Sequence, residues 1–420
     1  MHPGTLLDLT TQLVHEVMKL DAPADGVVSN FFHAQRALGV RERHTLAETV
    51  YAVLRKRLLL QHLAQKGSGT LERRLAMLAW QGNETYLRGA LGSHEQTWLA
   101  EKRQVDVSTL PEKLRHNLPD WLAGALHKQL DEASFWPLVQ ALEASAPLDL
   151  RVNTFKAKRE QVQRALADVG ITAELTPYSP WGLRVVGKPA LNKLDVFTRG
   201  EVEVQDEGSQ MLALLTDAHR GEMVVDFCAG AGGKTLALGA AMRNTGRLYA
   251  FDVSGHRLSA LKPRLARSGL ANVYPAQLSH ERDDRVKRLA GKVDRVLVDA
   301  PCSGLGTLRR NPDLKWRQSP KAVQELQTKQ MAILESAAKL LKPGGRLVYA
   351  TCSLLRAENE EVVEAFNRQQ AREFDVVPAL DALKTARIDT PEALVEGDHL
   401  RLWPHRHGTD GFFAAVWTKR

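Results

Sequence analysis

From Glu222 onward, short apolar runs alternate with stretches of helical spacing, and this alternation limits the fold more than any other feature of the chain. Residues 223–227, 247–251, 295–298 and 346–350 read as buried strands, with helical patterns between them. Such alternation predicts an α/β fold with a doubly wound parallel sheet. In sheets of that kind ligands bind beyond the carboxyl ends of the strands. Those ends carry a glycine-rich turn beginning at Cys228, then Asp252, then Asp299-Ala300-Pro301-Cys302-Ser303-Gly304, then Thr351-Cys352-Ser353. All three cysteines of the chain therefore stand at strand ends. Three details complete the expectation: a helix kinked or cut short at Pro263, a turn at residues 342–345, and a closing edge strand at residues 412–417.

Upstream the pattern changes. Residues 1–145 read as all-helical, with helical spacing at residues 46–54 followed by Arg55, Lys56 and Arg57. Residues 121–142 read as further helix, interrupted near Pro137. Arg36, Arg41, Arg43, Arg73 and Arg74 add charge, which fits either a solvated basic face or an RNA-docking module; these residues alone favour the former. Ala146-Pro147 marks a boundary. Residues 148–153 then alternate as a strand, residues 159–169 form a helix ended by Gly170, and short strands follow near 171–175 and 183–186. The division expected is therefore 1–145 helical, 146–205 a small α/β module that links the two and contacts RNA, and 206–420 the doubly wound domain.

The formal net charge of +8 favours a polyanionic partner, nucleic acid first. No run of 18 apolar residues predicts a membrane span, and Met1-His2-Pro3-Gly4 does not begin a secretory signal. Three cysteines do not make a disulfide framework, so thiols in a reducing cytoplasm are expected, with no metal and a monomeric chain.

Cys228-Ala229-Gly230-Ala231-Gly232-Gly233-Lys234-Thr235 joins a strand to a helix. Glycines there let backbone approach a ligand, and the helix start offers free amide donors. Twenty residues past Gly232, Asp252 can accept hydrogen bonds from a ribose. A nucleoside-bearing cofactor is indicated. A nucleoside triphosphate suits it less well, because a phosphate-binding loop would need glycine where Cys228 stands. S-adenosylmethionine suits the turn and Asp252 together, with Lys234 covering the turn or meeting the cofactor carboxylate.

The strand-end thiols suit one chemistry. Cytosine carbon 5 becomes nucleophilic when a thiolate adds to carbon 6, and it can then take a methyl group. That needs a thiolate, an acid/base group and a carboxylate for the base edge, and Cys352, Cys302 and Asp299 supply these types. Spacing leaves open which thiol attacks. The bland alternative is two small packing residues, which is the preferred reading for Cys228. Arg309, Arg310, Lys315, Trp316 and Arg317 follow as a basic loop carrying an aromatic, which suits a single-stranded RNA path.

These motifs resemble those of the Nop/Sun-type RNA cytosine-5 methyltransferases. Leu150-Arg151-Val152-Asn153, Val204-Gln205-Asp206, the glycine turn, Asp299-Ala300-Pro301-Cys302-Ser303, Asn311-Pro312-Asp313, Ala350-Thr351-Cys352-Ser353 with Glu358-Asn359-Glu360, and Asp410-Gly411-Phe412-Phe413 occur in the family's order. The resemblance implies a class I, Rossmann-like methyltransferase domain behind a NusB-like helical domain. It implies S-adenosylmethionine held by Cys228 to Lys234 with Asp252 and Asp299. It makes Cys352 the nucleophile and Cys302 the residue that assists product release, with a cytosine of small-subunit ribosomal RNA as substrate. Two departures stand out. Gly230 and Ala231 replace the family's Ala-Pro, and Gln277 stands about where an aspartate meets the adenine. The competing functions are a non-catalytic RNA-binding or ribosome-assembly factor, a methyltransferase acting on another RNA such as tRNA, and an amine methyltransferase. The last places an aromatic where Cys302 stands.

Overall fold

The computed structural model describes all residues 1–420. By internal packing the chain forms two compact units: Met1–Ser145 with Thr307–Pro320, and Ala146–Gly306 with Lys321–Arg420. No helix is long and apolar enough to cross a membrane.

The first unit is helical throughout. Pro3–Met18 buries Leu6, Leu7, Leu13, Val14 and Val17, and Val40–Arg55 buries Leu46, Val50, Val53 and Leu54; all nine share one core. The spacing puts one apolar stripe on each helix, and each fully buried leucine or valine contributes about 1.5–3 kcal/mol. The expected break at Pro137 lies earlier. Asp120–His127 ends and Glu132–Glu143 begins at Asp131, whose carboxylate accepts from the Ser134 amide, and the second helix runs through Pro137. The cap, not the proline, sets the boundary.

The segment Thr307–Pro320, which lies in sequence within residues 206–420, packs with the helices of the first unit. Val40–Arg55 leaves its last carbonyls without helical partners. Trp316 Nε1 donates to the Leu54 carbonyl at 2.7 Å, and Lys315 Nζ donates to the Arg55 carbonyl at 2.7 Å. Arg55 Nη2 returns a bond to the Arg309 carbonyl at 3.1 Å. Lys315 and Arg309 are thus buried structural groups rather than a free basic path. A charge count cannot separate a cation that caps a helix from one that awaits RNA.

Burial pushes the Lys315 ammonium down to about 7. Between that value and the ordinary 10.5, the unfolded chain holds a proton that the folded chain lacks. Stability should therefore rise with pH across this window. Lys315→Met is expected to lose that slope and to melt no lower than the parent near neutral pH, since a buried charge is often replaced by an apolar group without loss. Melting curves of both proteins at neutral and mildly alkaline pH would check this.

The second unit holds two sheets. The smaller has β1 (Leu148–Val152), β2 (Ala173–Leu175), β3 (Gly182–Val185) and β4 (Val202–Val204), antiparallel in the order β2-β3-β1-β4. The helix Arg159–Asp168 lays Val162 and Leu166 on its buried face, against Leu150, Val152 and Leu183.

The larger sheet contains β5 (Met223–Asp226), β6 (Arg247–Asp252), β7 (Val273–Gln277), β8 (Val293–Asp299), β9 (Leu341–Thr351), β10 (Phe374–Val377), β11 (Val395–Glu396), β12 (His399–Leu402) and β13 (Phe412–Lys419). Their order is β11-β12-β13-β9-β8-β5-β6-β7, with β10 also beside β13. β5 to β9 run parallel, and the chain turns outward from β5 first toward β6 and then, through β8, the other way. That reversal is the switch point at which doubly wound sheets bind ligands. Alternate residues enter opposite cores: Leu297, Val348 and Ala350 one, Val296, Val298, Leu347 and Tyr349 the other. Helices therefore cover both faces, as the near-continuous apolar runs require.

Three expectations about this domain need correction. β13 is not an edge strand, because it lies between β9 and β12 and pairs antiparallel with both. Its residues also divide between the two cores, Phe412, Ala414 and Val416 against Phe413, Ala415 and Trp417. Burial on both faces, read from six successive apolar residues, was the signal of an inner strand. Residues 342–345 are a bulge inside β9, since Leu341 pairs with Val293 and Arg346 with Arg295. The helix Gly255–Ser268 continues through Pro263, which faces solvent, so water can take up the freed carbonyl.

Candidate active site

β5 runs straight into the glycine turn. Ala229 N donates to the Phe251 carbonyl at 2.8 Å, fixing the turn between β5 and β6. Gly230 and Gly232 take φ of +55° and +84°. A Cβ on Gly232 would lie 2.1 Å from Leu261 Cδ1, so this position needs glycine both for its dihedral and for its space. The helix Gly233–Ala241 starts immediately after, its first amides facing the turn.

At the end of β6, Asp252 accepts from the Gly230 amide at 2.8 Å through one oxygen and from the Ser254 amide at 2.7 Å through the other. Each oxygen keeps a lone pair for a ribose hydroxyl. A cavity of about 740 Å³ opens beside them, walled by residues of the turn, by Asp252, and by Asp299, Cys302 and Cys352. Its size, the carboxylate and the side-chain-free turn fit a nucleoside cofactor. Cys228, Ala229, Gly230, Ala231, Gly233 and Lys234 all line it; Gly232 shapes the turn from beneath. Cys228 is half-buried, and burial pushes its thiol well up.

Lys234 Nζ meets Asp299 Oδ2 at 2.6 Å, so the lysine is engaged by the carboxylate that ends β8 rather than left over the turn. Burial works against the ammonium, yet the charge and hydrogen bond of Asp299 hold it above its ordinary value. Beside this pair, Cys302 Sγ and Cys352 Sγ stand 3.4 Å apart, as free thiols. The adjoining Cys352 sulfur and burial together push the Cys302 thiol well up, so it keeps its proton.

Gln277 lies off the cavity wall, its amide donating to the Val253 carbonyl at 3.1 Å. Leu278 and Glu281, rather than Gln277, wall that side of the cavity. His280 is an exposed loop residue whose Nδ1 accepts from the Arg282 amide. The sequence reading missed Asp226, which ends β5 buried, takes the Thr235 hydroxyl at 2.7 Å and is pushed by burial up to about 7. A lone acid closing an apolar run was the available signal. In the smaller module, Arg151 is internal as well: its Nε donates to Gln205 Oε1 at 2.6 Å, and burial pushes it down to about 10. Lys156 likewise spends its ammonium on the Arg199 and Arg267 carbonyls, at 2.7 and 2.8 Å.

A doubly wound sheet with a glycine turn at its switch point, a carboxylate on the cavity wall one strand on, and further polar side chains beyond β8 and β9 is the architecture of a class I methyltransferase. Residues 213–418 match the family described as 16S rRNA methyltransferase RsmB/F, and residues 118–191 match the ferredoxin-like domain of the RsmF/B-like methyltransferases. The probable ribosomal RNA small subunit methyltransferase B of Synechocystis sp. PCC 6803 is 34% identical over 338 residues, covering 80% of this chain and 74% of that protein. Ribosomal RNA small subunit methyltransferase B of Pasteurella multocida is 33% identical over 335 residues, covering 79% and 71%. Among solved structures, PH0851 superimposes with a TM-score of 0.82 at 25% identity, covering 100% of this chain and 99% of that one. A methyltransferase homologue from Pyrococcus horikoshii gives 0.62 at 28% identity, covering 75% and 100%. The chain belongs to the 16S rRNA methyltransferase RsmB/F family. Its cofactor is S-adenosylmethionine, and its substrate class is RNA.

Proposed function

We propose that this protein methylates carbon 5 of a cytosine in small-subunit ribosomal RNA, with Cys352 as a transient covalent nucleophile and Cys302 assisting release. The observation that carries this reading is the pair of free thiols 3.4 Å apart on the wall of the cofactor cavity, beside the Lys234–Asp299 pair. An amine methyltransferase has no use for two adjoining thiols, and a packing role would bury them away from any opening. S-adenosylmethionine, when bound, would supply an electrophilic methyl group and leave as S-adenosylhomocysteine.

The Cys352 thiol gives up its proton to solvent, adds as thiolate to carbon 6 and drives the ring electrons to carbon 5, which forms the new carbon–carbon bond. Asp299 accepts from the exocyclic amine, and Lys234 beside it can donate to a ring acceptor, so the pair both orients the base and stabilises charge moved into the ring. Release then requires loss of the carbon 5 proton to solvent, re-formation of the ring double bond and departure of the Cys352 sulfur as thiolate. The Cys302 S–H, protonated and adjacent, is a hydrogen-bond donor to that leaving sulfur.

Bisulfite sequencing of ribosomal RNA from cells with and without the protein tests the proposal. One small-subunit cytosine should lose protection when the protein is absent and regain it with the purified enzyme; unchanged protection everywhere would overturn it. In the same system Cys302→Ala should accumulate a protein–RNA adduct that survives denaturing electrophoresis.

A further inference from the structure

We propose that Glu358 is the positioning residue that fixes the two thiols against each other, by tying the loop after β8 to the loop after β9. The inference deepens the covalent reading above and rests on it for its functional consequence, though not for its geometry.

The sheet itself cannot fix the two sulfurs. The β8–β9 ladder ends at Asp299 opposite Ala350, with one further bond from the Ala300 amide to the Ala350 carbonyl. Cys302 and Cys352 lie beyond that last rung, on separate loops. The Gly306 amide does reach the Cys352 carbonyl at 2.8 Å, but from four residues past Cys302. What joins the loops next to the cysteines is one carboxylate, together with a contact between the Ser303 and Ser353 hydroxyls at 3.2 Å that it brackets. Glu358 Oε1 accepts from the Ser303 amide at 2.7 Å, and Oε2 accepts from the Ser303 hydroxyl at 2.5 Å. The same Oε2 accepts from the Ser353 hydroxyl. Ser303 follows Cys302, and Ser353 follows Cys352, so one side chain holds the neighbour of each sulfur.

The carboxylate is held in turn. Glu358 is fully buried. Gln330 Nε2 donates to Oε1 at 3.1 Å and to the Pro301 carbonyl at 3.0 Å, adding a third element to the cluster. Tyr349 in β9 donates its hydroxyl to the Glu358 carbonyl at 2.6 Å, and Asn359 Nδ2 donates to the Ser353 carbonyl at 3.0 Å. All four donors to the carboxylate are neutral. The Glu358 carboxylate adds to the forces that raise the Cys302 thiol, after its Cys352 neighbour and burial. A buried carboxylate with its lone pairs met by fixed donors is stiff, because any movement strands one of them.

The test reads sulfur proximity directly. With purified protein and the thiol oxidant diamide, each disulfide takes two electrons and two protons from the pair and reduces the oxidant to its hydrazine. In the parent, Cys302 and Cys352 should cross-link quickly. In Glu358→Gln the two serine hydroxyls lose a common acceptor, so cross-linking should slow roughly tenfold, and methyl transfer should fall about 100-fold, the scale of a misplacement of about 1 Å. S-adenosylmethionine affinity, measured by calorimetry, should be retained, since Glu358 is not on the cavity wall. Should Glu358→Gln fail to fold, Ser303→Ala and Ser353→Ala each cut one tether and should each slow the cross-link. Cross-linking at the parental rate in folded variants would overturn the proposal. An absence of adduct in Cys302→Ala would instead overturn the covalent reading, while leaving the cross-linking result to stand on its own.

Discussion

Cys352→Ala is expected to abolish methyl transfer to RNA, by at least ~10⁴-fold, while leaving the protein folded and able to bind S-adenosylmethionine. The size follows from the chemistry. Without addition at carbon 6, cytosine carbon 5 has no electron pair to offer, so no weaker version of the same route remains, and removing a covalent nucleophile characteristically costs this much or more. The small cost to folding follows from position. Cys352 is half-buried at a cavity wall, so its sulfur leaves space that already opens to solvent rather than a sealed void. Transfer of labelled methyl groups from S-adenosylmethionine into small-subunit RNA, with calorimetry of cofactor binding alongside, gives both halves of the expectation. The contrast with Cys302→Ala is the sharper part. That variant should form the adduct and fail to release it, because it keeps the attacking sulfur and loses the donor 3.4 Å away. If the phenotypes came out exchanged, Cys302 would be the nucleophile; if Cys352→Ala kept full activity, covalent catalysis through this residue would be gone.

The assembly of this candidate site was readable in the sequence because its residues stand at strand ends. A run of apolar residues fixes where a strand stops, and in a doubly wound sheet every parallel strand stops on the same edge. Cys228, Asp252, Asp299 and Cys352 thus had to lie near one another once the alternation was recognised. What could not be read was which polar groups satisfy each other. Lys234 pairs with Asp299 across 65 positions of chain, and only the pairing of β8 beside β5 brings them 2.6 Å apart. Glu358 was visible only as one letter of a motif, since its task depends on two loops that meet in space. The basic loop at 307–320 misled for a related reason. Lys315 and Arg309 carry charge in the composition, but both are buried, Lys315 against the Arg55 carbonyl at the end of a distant helix, and no spacing rule reports that. β13 was misplaced at the edge through a simpler slip: six apolar residues in succession fit a strand covered on both faces, not one facing water.

Asp299→Asn should lower kcat by about 10²–10³ while changing the S-adenosylmethionine affinity far less. The Asn amide keeps one acceptor oxygen, so the base edge can still be met, but the charge that complements both the exocyclic amine and Lys234 is gone. Lys234 is then left nearly buried with a neutral partner. Burial alone disfavours its ammonium, and the opposing pull of Asp299 that now outweighs it would be missing, so its pKa should fall. Asp299 is partly exposed, which screens the pair, and the cost to folding should be about 1–3 kcal/mol rather than the larger penalty of a sealed ion pair. Lys234→Met should give a similar loss of kcat from the other side of the pair. The double variant should then lose less than the two single losses combined, because removing either partner already disables the other. Strictly additive losses would mean that Asp299 and Lys234 act separately, the carboxylate on the base and the ammonium on something else in the cavity.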